Sequence, residues 1–194
     1  MNTQEELRRV RSQMRAQRAS LAADAQERAS RSVCARVSSA EVYRRADVVM
    51  AYAAVRGELS VDELMLDALR RGKTLLLPRC AADGVMTARR VSDISQLRPG
   101  MYGILQPPEE NEAIRPQDID LILVPGVAFG KSGERVGQGG GYYDRFLPAC
   151  HAFLLGVCHS FALRDGLVQR AHDVRMDAVV TPESWIDCVA QTRR

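Results

Sequence analysis

The residues best suited to chemistry lie together between Leu121 and Leu147. An apolar run, Leu121 to Val124, leads through Pro125-Gly126 into a stretch with six glycines between Gly130 and Gly141, closed by Tyr142, Tyr143, Asp144 and Arg145. Glycines let a backbone approach an anion closely and aim several N–H groups at it, and a helix beginning after them would add its N-terminal dipole. Arg135 and Arg145 bracket the loop with planar forks that match phosphate oxygens. Asp144 supplies a hard oxygen of the kind that reaches a magnesium ion on phosphates. These residue types predict phosphate binding. The plainer alternative is a glycine-rich loop with a salt-bridged Asp-Arg pair. Neither standard phosphate loop is present: Gly130-Lys131-Ser132 would need a glycine where Pro125 stands, and Gly137-Gln138-Gly139 would need one where Tyr142 stands.

A loop of this kind must be held by a scaffold, and the periodicity supplies one. Thr3 and Glu6 have capping-box spacing, and Leu7, Val10, Met14 and Leu21 follow at near-helical intervals. This predicts an amphipathic helix with its arginines opposite the apolar stripe. A second helix is expected from about Asp24 to Ser39, with Val33, Val37 and Ala40 inward. Val48–Tyr52, Thr74–Leu77, Ile119–Val124, Phe153–Val157 and Ala178–Val180 read as short buried strands, with a further one over 84–90. Gly57 marks a turn, Val61 to Arg71 is a helix stopped by Gly72, and Pro78 ends its strand. The proline- and glycine-rich stretch 97–117 reads as a long ordered loop. Strands alternating with helices predict an α/β fold with much parallel pairing.

With 194 residues, 46% hydrophobic and 26% charged, the chain is expected to form a single domain, 1–194, around one core. No apolar run has the length of a membrane span, and the polar N-terminus does not resemble a signal peptide, so the expected address is cytoplasmic. Five cysteines without a CxxC pair fit free thiols better than disulfides or zinc. The net charge is only +3, yet within residues 8–32 Arg8, Arg9, Arg11, Arg15, Arg18, Arg28 and Arg31 stand against just Asp24 and Glu27. That segment is either a solvated helix face or a phosphate-binding one.

Taken whole, the glycine-rich segment resembles the signature of the 5-formyltetrahydrofolate cyclo-ligase family. The match runs through Pro125, Gly126, Ala128, Phe129, Gly133, Arg135, Gly137, Gly139, Gly141, Tyr142, Tyr143, Asp144 and Arg145. Weaker matches include the arginine-rich N-terminal helix, Tyr52 with Gly57-Glu58, Pro78, Gly103-Ile104 with Pro107, and His172-Asp173 before Asp177 and Thr181. The resemblance implies a largely parallel central sheet flanked by helices, akin to sugar-phosphate isomerase and CoA-transferase folds, with residues 1–40 as a helical extension serving the nucleotide site. It implies that ATP and magnesium drive ring closure of 5-formyltetrahydrofolate to 5,10-methenyltetrahydrofolate. The residues it implies for catalysis are Arg135, Tyr142, Asp144 and Arg145. For ATP they are Arg8, Arg11, Arg135, Gly137, Gln138, Gly139, Gly140, Gly141, Tyr142 and Tyr143. For the reduced folate they are Tyr52, Ala53, Glu58, Gln138, Gly139, Gly140, Gly141 and Tyr142, and for the metal Asp144 and Asp173. His151 and His159 are expected to be structural, while His172 has a family counterpart.

The chain departs from the family pattern at Leu7, where a lysine is usual and Arg8 is the neighbouring substitute, and at Gly130, Gln106 and Arg170. Other readings stay open: a sugar-phosphate isomerase-like enzyme needing no nucleotide, a non-catalytic folate or nucleotide binder, or a basic-helix RNA module. The last lacks the aromatic-basic interleaving of RNA platforms, so neither a nucleic-acid partner nor a membrane is expected.

Overall fold

The computed structural model describes residues 3–168 and 173–188. Helix α1 (Thr3–Ala19) turns Leu7, Val10 and Met14 inward, as its periodicity requires, but its fourth buried position is Arg18. The arginines therefore do not all lie opposite the apolar stripe. Helix α2 (Ala23–Ser39) buries Val33, Cys34 and Val37, while Ala40 terminates it instead of packing inward. A short α3 (Glu41–Arg45) and α4 (Asp62–Arg70) follow. The N–H groups of Gly72 and Lys73 bond back to the carbonyls of Leu69 and Ala68, the paired bonds of a Schellman motif. The last α-helix among the described residues, α5 (Tyr142–Phe146), has only five residues.

The strands in chain order are β1 (Val48–Met50), β2 (Thr74–Cys80), β3 (Met86–Arg90), β4 (Arg98–Pro99), β5 (Leu105–Gln106), β6 (Ala113–Ile114), β7 (Leu121–Pro125), β8 (Ala128–Phe129), β9 (Arg135–Val136), β10 (Phe153–Val157), β11 (Ala178–Val180) and β12 (Trp185–Asp187). Eight of them form one sheet in the order β12-β11-β10-β7-β1-β2-β3-β6. The inner five are parallel, and antiparallel strands close both edges. Strand β2 runs past Pro78 because β1 has ended by then. Its last ladder pair with β2 is Met50 with Leu76, so only β3 flanks the proline and no second ladder demands its missing N–H. The segment expected to be one long loop instead carries the hairpin β4–β5 and the edge strand β6.

Parallel strands buried on both faces need apolar residues at every position. Along β7, Ile122 and Val124 join the core that contains Met14 of α1 and Phe129, whereas Leu121 and Leu123 join the core under α2 and α4. All five cysteines are free thiols, four of them buried. No helix among the described residues is long and apolar enough to cross a membrane. The carboxyl ends of β1, β2 and β7 open at the same edge of the sheet, the usual place for a ligand crevice in such folds.

Candidate active site

The glycine loop forms a wall between two cavities. Strand β7 ends at Pro125, the hairpin β8–β9 follows, and the chain then runs through Gly137–Gly141 into α5. On one side lies a cavity of about 620 Å³, edged by Leu7, Arg8 and Arg11 of α1 and by Asp144, Arg145 and Asp173. On the other lies one of about 630 Å³, lined by Tyr52, Ala53, Glu58, Met101, Tyr142 and Tyr143 among others. Gly137, Gly139, Gly140, Gly141, Arg135 and Asp144 line both. Gly139 has φ +108°, which a residue with a Cβ rarely adopts, so the tight course of this wall depends on glycine there. A helix does begin directly after the loop, as expected, although α5 has only five residues. Backbone amides and arginines are what an anion would meet.

On the α1 side the charges are tied to the loop. Arg11 donates from Nε to the Gly137 carbonyl at 2.8 Å, and Arg15 donates from Nη2 to Oε1 of Gln138 at 3.0 Å. Arg135 is buried, engages Oδ1 of Asp144, and stacks its guanidinium 5.5 Å from the Tyr143 ring centre. Its Nε is buried without a hydrogen-bond partner. The salt-bridged Asp-Arg pair of the plainer alternative does form, and its arginine is Arg135. Arg145 is exposed, donates to the carbonyls of Gly84 and Gly140, and lies over Tyr142. It braces the loop as well as edging the cavity. Leu7, in the place of the family's lysine, is buried, and the adjacent Arg8 is exposed at the cavity edge.

The second cavity is built on a tight turn. The Glu58 N–H bonds to the Val55 carbonyl at 3.0 Å, with Arg56 at φ +51° and Gly57 at φ +74° between them. Two successive left-handed residues make a type I′ turn. Gly57 is required twice over, because a Cβ there would also stand 3.1 Å from Cβ of Arg18. The turn delivers Glu58 into the cavity wall, 6% exposed. Its Oε1 accepts from Gln138 Nε2 at 3.1 Å, and Oε2 accepts from the Val55 N–H at 3.3 Å. Desolvation pushes the Glu58 carboxyl above its ordinary range, against the opposing pull of Gln138 and Arg18. Tyr52, beneath it, donates to the Leu59 carbonyl at 2.7 Å, and burial holds its phenol protonated well above the usual range. The Tyr142 hydroxyl donates to the Ala81 carbonyl, while that of Tyr143 is buried with no partner.

The predicted residues thus come together around one loop, with Gln138 touching both sides through Arg15 and Glu58. Asp173 shares the first cavity with Asp144, although the described residues contain no cluster of three metal-binding side chains. Two carboxylates still suit magnesium, which keeps several waters and needs few protein ligands when phosphates supply the rest. His172 and Arg170 lie outside the described residues. His159 is structural as expected: it is buried, stacked on Phe161 at 5.0 Å, and its Nε2 lies 3.0 Å from the Gly57 carbonyl. Gln106 is buried and accepts from the Cys80 N–H. At Gly130 a Cβ would fall 2.1 Å from a Glu134 carboxylate oxygen, so a larger residue there would require that side chain to move. Sequence reasoning missed Arg18, which is buried and lies 3.7 Å from Glu58. Its place in the inward register of Leu7, Val10 and Met14 was the available signal.

The profile described as the 5-formyltetrahydrofolate cyclo-ligase family matches residues 2–182. A protein of Mycolicibacterium smegmatis named 5-formyltetrahydrofolate cyclo-ligase is 33% identical over 148 residues, covering 71% of this chain and 75% of the relative. One of the same name from Haemophilus influenzae is 30% identical over 151 residues, covering 76% and 80%. Among solved structures, the 5,10-methenyltetrahydrofolate synthetase of Aquifex aeolicus superposes with a TM-score of 0.85 at 30% identity, over 97% of this chain and 95% of that one.

Proposed function

The chain belongs to the 5-formyltetrahydrofolate cyclo-ligase family, and on that premise we propose that it uses ATP to close 5-formyltetrahydrofolate into 5,10-methenyltetrahydrofolate, releasing ADP and phosphate. The observation that carries this reading is the shared wall: two cavities of similar size meet at Gly137–Gly141, one edged by arginines and carboxylates, the other lined largely by apolar groups around Glu58, with Asp144 on the wall common to both. A two-substrate phosphoryl transfer needs that arrangement, since its catalysis is mostly positioning and charge stabilisation.

In this reading the ATP phosphates lie against Arg8, Arg11, Arg135 and the amides of the glycine loop, with Arg145 and Tyr143 bracing it. The reduced folate occupies the second cavity, its ring N–H groups donating to Glu58 beside Tyr52, Ala53, Gln138 and Tyr142. The formyl oxygen then meets the γ-phosphate where the two cavities join beside the glycine loop. Its attack forms a phosphorylated formyl group and expels ADP. N10 adds to the activated carbon and gives up its proton, and phosphate departs with the former formyl oxygen. Phosphorylation is what lets an amide-like oxygen leave. Asp144, through the oxygen not engaged by Arg135, and Asp173 would hold magnesium, which supplies neutralisation of phosphate charge. The helices before residue 40 belong to the same working unit, and the setting is cytoplasmic.

The test is methenyl absorbance with purified chain, 5-formyltetrahydrofolate, ATP and magnesium. A rise that requires both ATP and metal, with ADP formed in equal amount, supports the reading. Folded protein that gives no rise sinks it and leaves a nucleotide-free enzyme on this fold or a non-catalytic binder.

A further inference from the structure

One buried group on the folate side has no role in the reading above. Arg18 is 4% exposed, and Glu58, which it faces, is 6% exposed. Its Nη2 donates to the Gly126 carbonyl and lies 3.5 Å from that of Val127, both just past the end of β7. Its Nη1 stands 3.7 Å from Glu58 Oε1, within ion-pair range and beyond a hydrogen bond. Both Nη1 and Nε are buried without a hydrogen-bond partner. Such a burial is costly for a cation unless its charge is being used.

The geometry says how it is used. A carboxylate offers about four lone-pair sites, and on Glu58 the protein takes one on each oxygen, through Gln138 and the Val55 N–H. A bidentate arginine would consume more of them. Arg18 instead acts through space, anchored from behind by carbonyl oxygens. Arg11, Arg15 and Arg18 follow at helical spacing along one stripe of α1 and reach, in turn, Gly137, Gln138 and Glu58. The other titratable groups facing this carboxylate are Arg56 beside it, Tyr52 and Tyr143, and beyond Gly57 the buried His159.

We propose that Arg18 is the positioning residue of the folate side: fixed on the carbonyls of Gly126 and Val127, it keeps the buried Glu58 carboxylate ionised and aimed while leaving lone pairs open to the N–H groups of the ligand. The folate part of this statement rests on the proposed function; the hold on Glu58 does not.

The experiment is a carbon-13 NMR titration of protein labelled at the glutamate carboxyl carbons, with the Glu58 signal assigned by its loss in Glu58→Gln. The expected midpoint for Glu58 rises by about one pH unit or more in Arg18→Met, a tenfold shift in its proton affinity, with Arg18→Lys in between. In parallel, Arg18→Met raises the KM for 5-formyltetrahydrofolate about tenfold, leaves that for ATP within about twofold, and recovers in part at higher pH. In a Glu58→Gln background the Arg18 substitution adds little to the folate KM. An unmoved Glu58 midpoint in folded Arg18→Met overturns the proposal, as does an equal, pH-independent change in both KM values. If Arg18→Met does not fold, the same titration of Arg18→Lys decides. A moved midpoint in a wild-type protein without cyclo-ligase activity would retain the hold of Arg18 on Glu58 while rejecting the proposed reaction.

Discussion

The two faces of the glycine loop meet the demands of charge in opposite ways. Toward α1, Arg8, Arg11 and Arg145 share the work at exposed or partly exposed positions where solvent screens them, while Arg135 beside them is buried. Toward the second cavity a single carboxylate stands nearly dry, opposed by one equally buried arginine. Distributed charge in water tolerates loss of a member, whereas a lone buried pair does not. The difference predicts where single substitutions are graded and where they are severe. Asp144 is the exception on the first face, because it both pairs with buried Arg135 and edges the phosphate cavity.

The comparison is tested most severely at Asp144. Asp144→Asn keeps the shape but removes the charge, and methenyl formation is expected to fall at least about 100-fold while the chain still folds. A near-normal rate at saturating magnesium would remove Asp144 from the metal site. Next comes Glu58→Gln. Losing charge-assisted bonds worth about 1.5–3 kcal/mol raises the folate KM roughly 10- to 100-fold, with the ATP KM little changed; steady-state kinetics with each substrate varied separates the two. On the other face, Arg11→Ala should raise the ATP KM by about tenfold or less and Arg8→Ala by less again. Equal and large effects from both would break the distributed-charge account.

The smallest effects are in the pH dependence of stability, and they carry opposite signs. The Glu58 carboxyl is raised by burial, so between its ordinary range and its folded value the native state binds the extra proton. Stability from this group is present at acid pH and is lost as pH rises through that window. His159 is lowered, chiefly by burial. Its unfolded form binds the extra proton, so its contribution is lost as pH falls from the ordinary histidine range to the folded value. Melting curves of wild type, Glu58→Gln and His159→Asn across pH should therefore diverge at opposite ends; the same slope for both variants would contradict the burial assigned to one of them.

Much of the scaffold was legible because its strands are buried on both faces and read as short apolar runs. Phe153–Val157 and Ala178–Val180 match the expected bounds, and the parallel pairing follows from the alternation of strands with helices. The strand through Pro78 was not legible, since a proline's cost depends on whether a second neighbour is present. Nor were the short strands in 98–114, whose pairing is set by the sheet edge they meet.

What the sequence by itself determined is the chemistry on offer: a glycine loop, the arginines and carboxylates beside it, and the turn at Gly57 that local backbone sterics require. The tertiary structure alone decided the partners. It set Asp144 against Arg135 instead of its neighbour Arg145, placed Gln138 between Arg15 and Glu58, and buried Arg18 opposite a residue far along the chain. The reason is physical. Backbone preferences are local and can be read within a few residues, but the energy of a charge depends on burial and on its neighbours in space, and packing of α1 against the ends of the sheet supplies both.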